Sequence, residues 1–270
     1  MNRPFYTEYA WAYDLLIQAP VASRVDFIVG RFNQSGILPR ARLLDAGCGT
    51  GTYSIALAER RFSVTGIDAS LDLITQARKK SIKVGIRLEF VIGDILRLPQ
   101  DLSVDAVLCR GVLNDLIEIE SRKAVFSSFA GVMREGGVLM LDVREWNATV
   151  VRKTKNPVFE KTVMTENGQL TFRSITTLRE ETRSLLISET HTLQSPRGEN
   201  IIAFDFEMKC WTQKELTAHL SGAGFDIINY LGDYDSAISV GDTDRLVAVA
   251  VLAEKAKAQE RQSSRSLRSG

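Results

Sequence analysis

The segment Asp45-Ala46-Gly47-Cys48-Gly49-Thr50-Gly51 sets an acid two residues ahead of three alternating glycines. This spacing suits a small polar ligand, because residues without a Cβ let the backbone turn tightly and approach it closely. An apolar run, Leu43-Leu44, enters the segment, and an amphipathic stretch, Tyr53 to Arg61, leaves it. A strand that turns sharply into a helix produces this pattern. The N–H groups opening that helix would face a bound polar group. The Asp45 carboxylate suits a cationic ligand better than a pyrophosphate. Two more acids close strand-like runs: Asp68 after Val64-Thr65-Gly66-Ile67, and Asp94 after Val91-Ile92-Gly93. Asp68 comes 17 positions after Gly51. An acid about 20 residues beyond a glycine turn is placed to accept hydrogen bonds from ribose hydroxyls. Ser70 has a rival structural task as cap of the next helix.

The Asp-x-Gly-Cys-Gly-Thr-Gly segment resembles the first motif of the class I S-adenosylmethionine-dependent methyltransferases. The dinucleotide fingerprint G-x-G-x-x-G would need glycine at position 52, which is Thr52. The resemblance implies S-adenosyl-L-methionine as cofactor, held by Asp45, Ala46, Gly47, Gly49 and Gly51. Asp68 with Ala69 would meet the ribose, and Asp94 with Ile95 the adenine. Arg110, after the fourth strand, would lie near the cofactor, with Asn114 as a substrate-binding residue and Asp115 as a catalytic candidate. The implied reaction is in-line displacement, in which N, O or C of a small molecule attacks the methyl on the sulfonium. Alignment of donor and acceptor is then the main contribution, worth up to roughly 7–11 kcal/mol of barrier. Two rivals share some of these residues. A nicotinamide-dependent oxidoreductase keeps the βαβ unit and Asp68 but gives Asp45 no role. A non-catalytic S-adenosylmethionine-binding module keeps every motif without methyl transfer.

Other candidates lie outside this unit. In Arg3 to Gln18, Phe5, Tyr9, Ala12 and Leu16 fall at helical spacing, with Tyr6 and Tyr13 beside them. The segment resembles the lid helices of small-molecule methyltransferases. Tyr6 and Tyr9 are then substrate-binding candidates and Tyr13 a catalytic one, or the rings form a stripe packed on the domain. An aromatic face would favour a sulfonium by about 0.5–2 kcal/mol. His191 sits on the apolar face of Leu185-x-Ile187-x-Glu189-x-His191-x-Leu193. Its near-neutral pKa suits a general base; the alternative is a hydrogen-bonded packing residue. His219 reads as a surface helix residue. No metal-ligand cluster emerges.

The elements that must position these residues alternate from Ala41: strand 42–46, helix 52–61, strand 62–67, helix 70–80 and strand 86–92. Strand 104–109, helix 119–134 stopped by Gly136-Gly137, and strand 137–143 follow. Two helices, 3–18 and 21–33, precede the first strand. The rhythm changes after Trp146. Four strand-like runs fill 158–209, with turns at Asn167-Gly168 and Pro196-Arg197-Gly198. A capping box at Thr212–Glu215, stapled by Trp211 and Leu216, opens another helix. Two strands, 225–231 and 246–252, close the pattern and in the resembled family form an antiparallel edge hairpin. The expected fold is α/β: a Rossmann-like, doubly wound, mostly parallel seven-stranded sheet with an inserted antiparallel β cap. The expected divisions are lid helices 1–37, a core of 38–146 and 211–253, a cap of 147–210, and a disordered tail of 254–270.

Composition bounds the rest. The 270 residues are 44% hydrophobic and 25% charged, with a net charge of +1, so no whole-protein pull towards nucleic acid or anionic membrane exists. The Asn/Asp-Pro-Pro-aromatic tetrapeptide of amino-methylating nucleic-acid enzymes is also missing. A small-molecule acceptor is expected, with the chain a monomer or homodimer. Cys48, Cys109 and Cys210 show no paired spacing and fit a reducing cytoplasm. The longest apolar run, Leu246 to Ala253, is too short to span a bilayer.

Overall fold

The computed structural model describes residues 3–17 and 19–254. The expected tail therefore lies outside the described residues from 255 onward. Two 3-10 turns, Pro4–Tyr6 and Ala10–Ala12, and one α turn, α1 (Tyr13–Leu16), lead into α2 (Val21–Gln34). The core then alternates β1 (Arg42–Ala46), α3 (Thr52–Glu59), β2 (Ser63–Asp68), α4 (Leu71–Lys83), β3 (Glu89–Ile92) and β4 (Val104–Cys109). A 3-10 turn at Leu113–Asp115 precedes α5 (Ile119–Val132) and β5 (Met133–Arg144). Next come α6 (Trp146–Lys155) and the cap strands β6 (Val158–Thr165), β7 (Gly168–Arg179), β8 (Ser184–Ser195) and β9 (Gly198–Lys209). The chain re-enters the core through α7 (Gln213–Gly222), β10 (Phe225–Leu231) and β11 (Arg245–Leu252).

Successive residues of the central strands fall alternately into two apolar layers. Leu44, Val107 and Leu139 pack with Phe126, Phe129 and Trp211 on one face. Leu43, Leu108 and Val138 pack with Ile28, Phe32 and Leu57 on the other. Both faces are covered, which is why these strands read as unbroken apolar runs. The seven strands lie in the order β10-β11-β5-β4-β1-β2-β3. Only β11 runs against its neighbours, and it sits between β5 and β10 rather than at the edge. Strand order reverses at β1, flanked by β2 and β4, and ligands of open α/β sheets occupy the crevice beyond that point.

The cap is a separate antiparallel sheet, β6-β7-β8-β9. Its outer hairpins turn at Gly168 and Gly198, both at φ +121. Thr212 and Glu215 make the expected reciprocal capping box on α7.

Two local expectations fail, and one helix goes unpredicted. The N-terminal segment is not a helix from 3 to 18, because its rings dock individually on the cap. Phe5 stacks on Phe172, with centroids 5.0 Å apart, and Tyr9 on His191 at 4.7 Å. Tertiary packing overrides periodicity there. Helix α5 passes directly into β5 at Met133, so Gly136 and Gly137 lie inside the strand instead of stopping the helix. Helix α6 was not anticipated: it buries only Thr149, so its sequence shows no apolar stripe.

Candidate active site

Strand β1 delivers Asp45, 3% exposed, to the carboxyl edge of the sheet. Its carboxylate accepts the Ser54 hydroxyl of α3 at 2.5 Å. Burial pushes the Asp45 carboxyl up to about 6, against the pull of Ser54 and Arg110. The loop that follows is tied to β2: Gly47 N and Cys48 N donate to the Ile67 carbonyl at 2.7 and 3.0 Å. Gly49 N donates to the Asp68 carboxylate at 2.9 Å, and Ser70 N donates to its other oxygen at 2.9 Å. Burial also raises Asp68, opposed by those same N–H bonds.

Gly49 has φ +56, and a Cβ there would meet nothing within 4 Å. Gly51, at φ +72, differs: its Cβ would press into Phe90 and Ala77. One glycine keeps a space open while the other admits the core.

That space is part of a cavity of about 970 Å³. The sheet side contributes Asp45, Gly49, Tyr53, Arg110, Gly111 and Arg245. The N-terminal segment adds Phe5, Tyr6 and Tyr13, and the cap adds Phe172, Thr176, Leu185, Ile187 and Met208. Arg144, Arg152 and Lys153 form a third wall at the end of β5 and along α6.

Behind the sheet wall lies a buried charge network. Asp142, in β5, accepts Gly111 N at 2.8 Å, the Tyr234 hydroxyl at 2.7 Å and Arg245 Nη1 at 2.5 Å. Burial alone would raise Asp142; Arg245, Arg110, Tyr234 and Gly111 N–H together hold it below the usual carboxylate range. The Arg110 guanidinium lies 3.5 Å from the Tyr53 ring centroid, and its Nε stands 3.7 Å from Asp142. Arg110 Nε and the Tyr53 hydroxyl are buried without hydrogen-bond partners among the described residues.

The cavity brings together Asp45, Gly47, Gly49, Arg110, Tyr6 and Tyr13 of the residues singled out from the sequence. Others stand away from its lining. Ala46 is in the core and Gly51 under Phe90. Ser70 Oγ donates to the Tyr6 carbonyl at 2.5 Å, laying the N-terminal segment beside Asp68 and Ala69. Asp94 is exposed and turns to accept Leu96 N at 2.9 Å, while Ile95 is buried in the core. Asn114 is a brace: it donates to the Lys209 carbonyl at 2.7 Å and accepts Arg144 N at 3.1 Å.

His191 is fully buried, enclosed by Tyr9, Phe5 and Phe172, and it does not line the cavity. Neither ring nitrogen has a hydrogen-bond partner among the described residues; the Glu189 carboxylate is 3.7 Å away. Tyr9 is used in the same stack and receives a hydrogen bond from Asn200 at 3.3 Å. Asp115 is half-buried and does not line the cavity. Burial lifts its carboxyl to about 6, opposed by Arg3 and Tyr6, and the Tyr6 hydroxyl reaches it at 3.4 Å.

Sequence reasoning missed Arg3, Tyr53, Glu189 and the α6 cations. Arg3 Nε donates to Glu189 at 3.0 Å, and its Nη1 to the Tyr6 hydroxyl at 2.8 Å. A cation beginning the aromatic segment and an acid on an apolar cap face were the available signals.

Comparisons with known proteins agree with this frame. Residues 43–137 match the model of a family described as a methyltransferase domain. That segment belongs to the methyltransferase-domain family. The chain is 29% identical over 167 residues to a protein of Geobacillus sp. (strain WCH70) named as a methyltransferase. That match spans 61% of this chain and 65% of the relative. It is 32% identical over 120 residues to the ubiquinone biosynthesis O-methyltransferase of Xanthomonas campestris pv. campestris (strain B100), covering 44% of this chain and 47% of that one. The matches thus span about half to two thirds of these relatives. In fold, the methyltransferase domain and its cap are similar to an S-adenosylmethionine-dependent methyltransferase structure from Clostridium acetobutylicum ATCC 824. The TM-score is 0.77 at 17% identity, over 92% of this chain and 99% of that one. Among the described residues no group of side chains is set to hold a metal, and no helix is long and apolar enough to cross a membrane.

Proposed function

We propose that this protein transfers a methyl group from S-adenosyl-L-methionine to N, O or C of a small molecule held between the sheet edge and the cap. The observation that carries the reading is the open space at Gly49, kept by a left-handed backbone beside a buried carboxylate. The residues present fit this cofactor. Asp45 offers a carboxylate to an ammonium group. Arg110 Nε and the Tyr53 hydroxyl, buried and unpartnered, offer donors to a carboxylate. Asp68 retains acceptor capacity for ribose hydroxyls, since each carboxylate oxygen takes more than one bond. Asp94 and Ile95 are our candidates for the adenine. Reaching them requires the N-terminal segment, tied to Ser70, to shift.

When bound, the cofactor supplies an electrophilic methyl group on a sulfonium leaving group. The chain aligns the acceptor and excludes water. Phe5, Tyr6 and Tyr13 line the cavity, and an aromatic face turned to a cation there would favour it. A neutral amine needs no base before attack. An acceptor that must lose a proton has two candidate routes. Tyr13 lines the cavity, and the Tyr6 hydroxyl leads to Asp115, whose carboxyl titrates near 6. We read His191 as a packing residue. The three cysteines are free and buried, in keeping with a reducing, cytoplasmic setting.

The test is calorimetry with S-adenosylmethionine, S-adenosylhomocysteine and NAD, followed by mass-spectrometric detection of methyl transfer across small amines, phenols and acids. We expect micromolar binding of both sulfur compounds. Binding of NAD alone would establish the oxidoreductase, and cofactor binding without any transfer would leave the binding module.

A further inference from the structure

We infer that the acceptor carries an anionic group, a phosphate or a carboxylate, received by Lys153 with Arg152, Arg144 and Thr176 at the α6 wall of the cavity. The inference deepens the methyl-transfer reading and rests on it.

The remaining cavity cations are matched. Arg3 meets Glu189, Arg24 meets Asp233, and Lys80 meets Asp14. Arg110 and Arg245 share Asp142, and Arg245 also reaches Asp233. The α6 wall is different. Arg144 Nη1 and Arg152 Nε both lean on Asp244, at 2.6 and 2.9 Å. Lys153 has no ion-pair partner among the described residues. Three cations thus stand around one carboxylate. Burial, then Arg152 and Arg144, depress the Lys153 amine to about 8, as like charges crowded together should.

Basic residues in the last turn of a helix answer its dipole, which accounts for Arg152 and Lys153 being on α6. It does not account for Arg144, which is on β5, or for an unpartnered lysine facing a cavity. A second observation comes from the cap. Thr176, on β7 where α6 packs against it, is 5% exposed and lines the same cavity. Its hydroxyl has no hydrogen-bond partner among the described residues. Buried polar groups are nearly always satisfied, so this one awaits an acceptor atom. Guanidinium, ammonium and hydroxyl donors that line one cavity form a recognition set for phosphate or carboxylate oxygens. Leu185, Ile187 and Met208 line the cavity beside it, so the rest of the acceptor is apolar.

Three probes with one apolar body decide the matter: phenyl phosphate, phenylacetate and benzyl alcohol, titrated into the full chain saturated with S-adenosylhomocysteine. We expect at least one anionic probe to bind about tenfold or more tighter than the alcohol, and the tighter of the two identifies the group. Lys153→Gln should erase that preference, as should Arg152→Gln if the first variant fails to fold. Thr176→Val should weaken the anion several-fold, whereas Lys123→Gln, at an exposed position of α5, should change nothing. Equal binding of anionic and neutral probes, or a preference that survives Lys153→Gln, overturns the inference. Failure to bind S-adenosylhomocysteine at all would instead overturn the methyl-transfer reading, so the two failures are separable.

Discussion

The carboxylate of Asp68 accepts the backbone N–H of Gly49 at 2.9 Å, joining the tip of β2 to the glycine loop that follows β1. Its second oxygen takes Ser70 N, at the start of α4. One side chain therefore fixes the loop that keeps the cavity open and the helix that bounds it.

Asp68→Ala should accordingly do two things. Losing two hydrogen bonds to a charged acceptor, worth about 1.5–3 kcal/mol each, should lower stability, read as a lower denaturation midpoint with an unchanged m-value. Affinity for S-adenosylmethionine should fall at least tenfold. Asp68→Asn keeps one acceptor oxygen and should recover part of both losses. Wild-type affinity in the alanine variant would detach Asp68 from the ligand site.

Gly49 and Gly51 separate binding from folding. Gly49→Val places its side chain in open space, so only the left-handed backbone is penalised, by roughly 1–2 kcal/mol. It should remain folded by circular dichroism yet fail to bind the cofactor. Gly51→Ala incurs the same backbone penalty and also pushes Phe90 and Ala77, adding about 1–3 kcal/mol of overpacking. Its melting temperature should fall further than that of Gly49→Val. The reverse order would mean that a side chain at position 49 does not find open space, and wild-type cofactor affinity in Gly49→Val would mean that the ligand does not lie there.

Asp45 gives a stability prediction with a definite sign. Its carboxyl titrates near 6 in the folded protein, above the unfolded value of about 3.9. The native state therefore holds this proton more tightly, and stability falls as pH rises from about 4 to about 6 and stays lower beyond. Asp115 contributes in the same window and direction. Asp45→Asn removes one titrating group and retains an oxygen for Ser54. The ligand-free variant should be about 1–3 kcal/mol more stable than wild type at pH 7, with a shallower pH dependence and much weaker cofactor binding. A variant less stable than wild type at pH 7 would contradict the assigned direction.

The sheet was legible because its signals are local. Leu43-Leu44 and Val138-Leu139 are apolar on both faces because layers lie on both sides of them, and the glycine loop is set by backbone conformation. The cavity was legible on that side and at Tyr6 and Tyr13 of the N-terminal segment. Arg3, Glu189 and Thr176 lie far apart along the chain, and no spacing rule links them. For two residues, tertiary contacts decide between readings that the sequence leaves open. His191 looked like an available base, yet Tyr9 and Phe172 close around it. Tyr9 looked like a ligand contact, yet its ring is used on His191. Helix α6 showed no apolar stripe because one of its faces borders the cavity rather than the core.

The N-terminal segment is latched to the glycine loop by a cluster that joins partly exposed Asp14 and Lys80 to buried Thr50, which makes the latch separable from the fold at Asp14. Thr50 Oγ1 donates to Asp14 at 2.7 Å, and Lys80 bonds Asp14 as well as Thr50 and Thr52, the last two at 3.1 and 2.6 Å. Asp14 and Lys80 are partly exposed, so Asp14→Ala should cost at most about 1 kcal/mol of stability. If the segment must lift to admit the adenosine end, cutting the latch should speed cofactor association several-fold, followed by stopped-flow fluorescence of Trp11. Dissociation should quicken by a comparable factor, leaving the equilibrium affinity little changed. An association rate equal to that of wild type, in a variant of wild-type stability, would show that the cofactor enters without moving this segment.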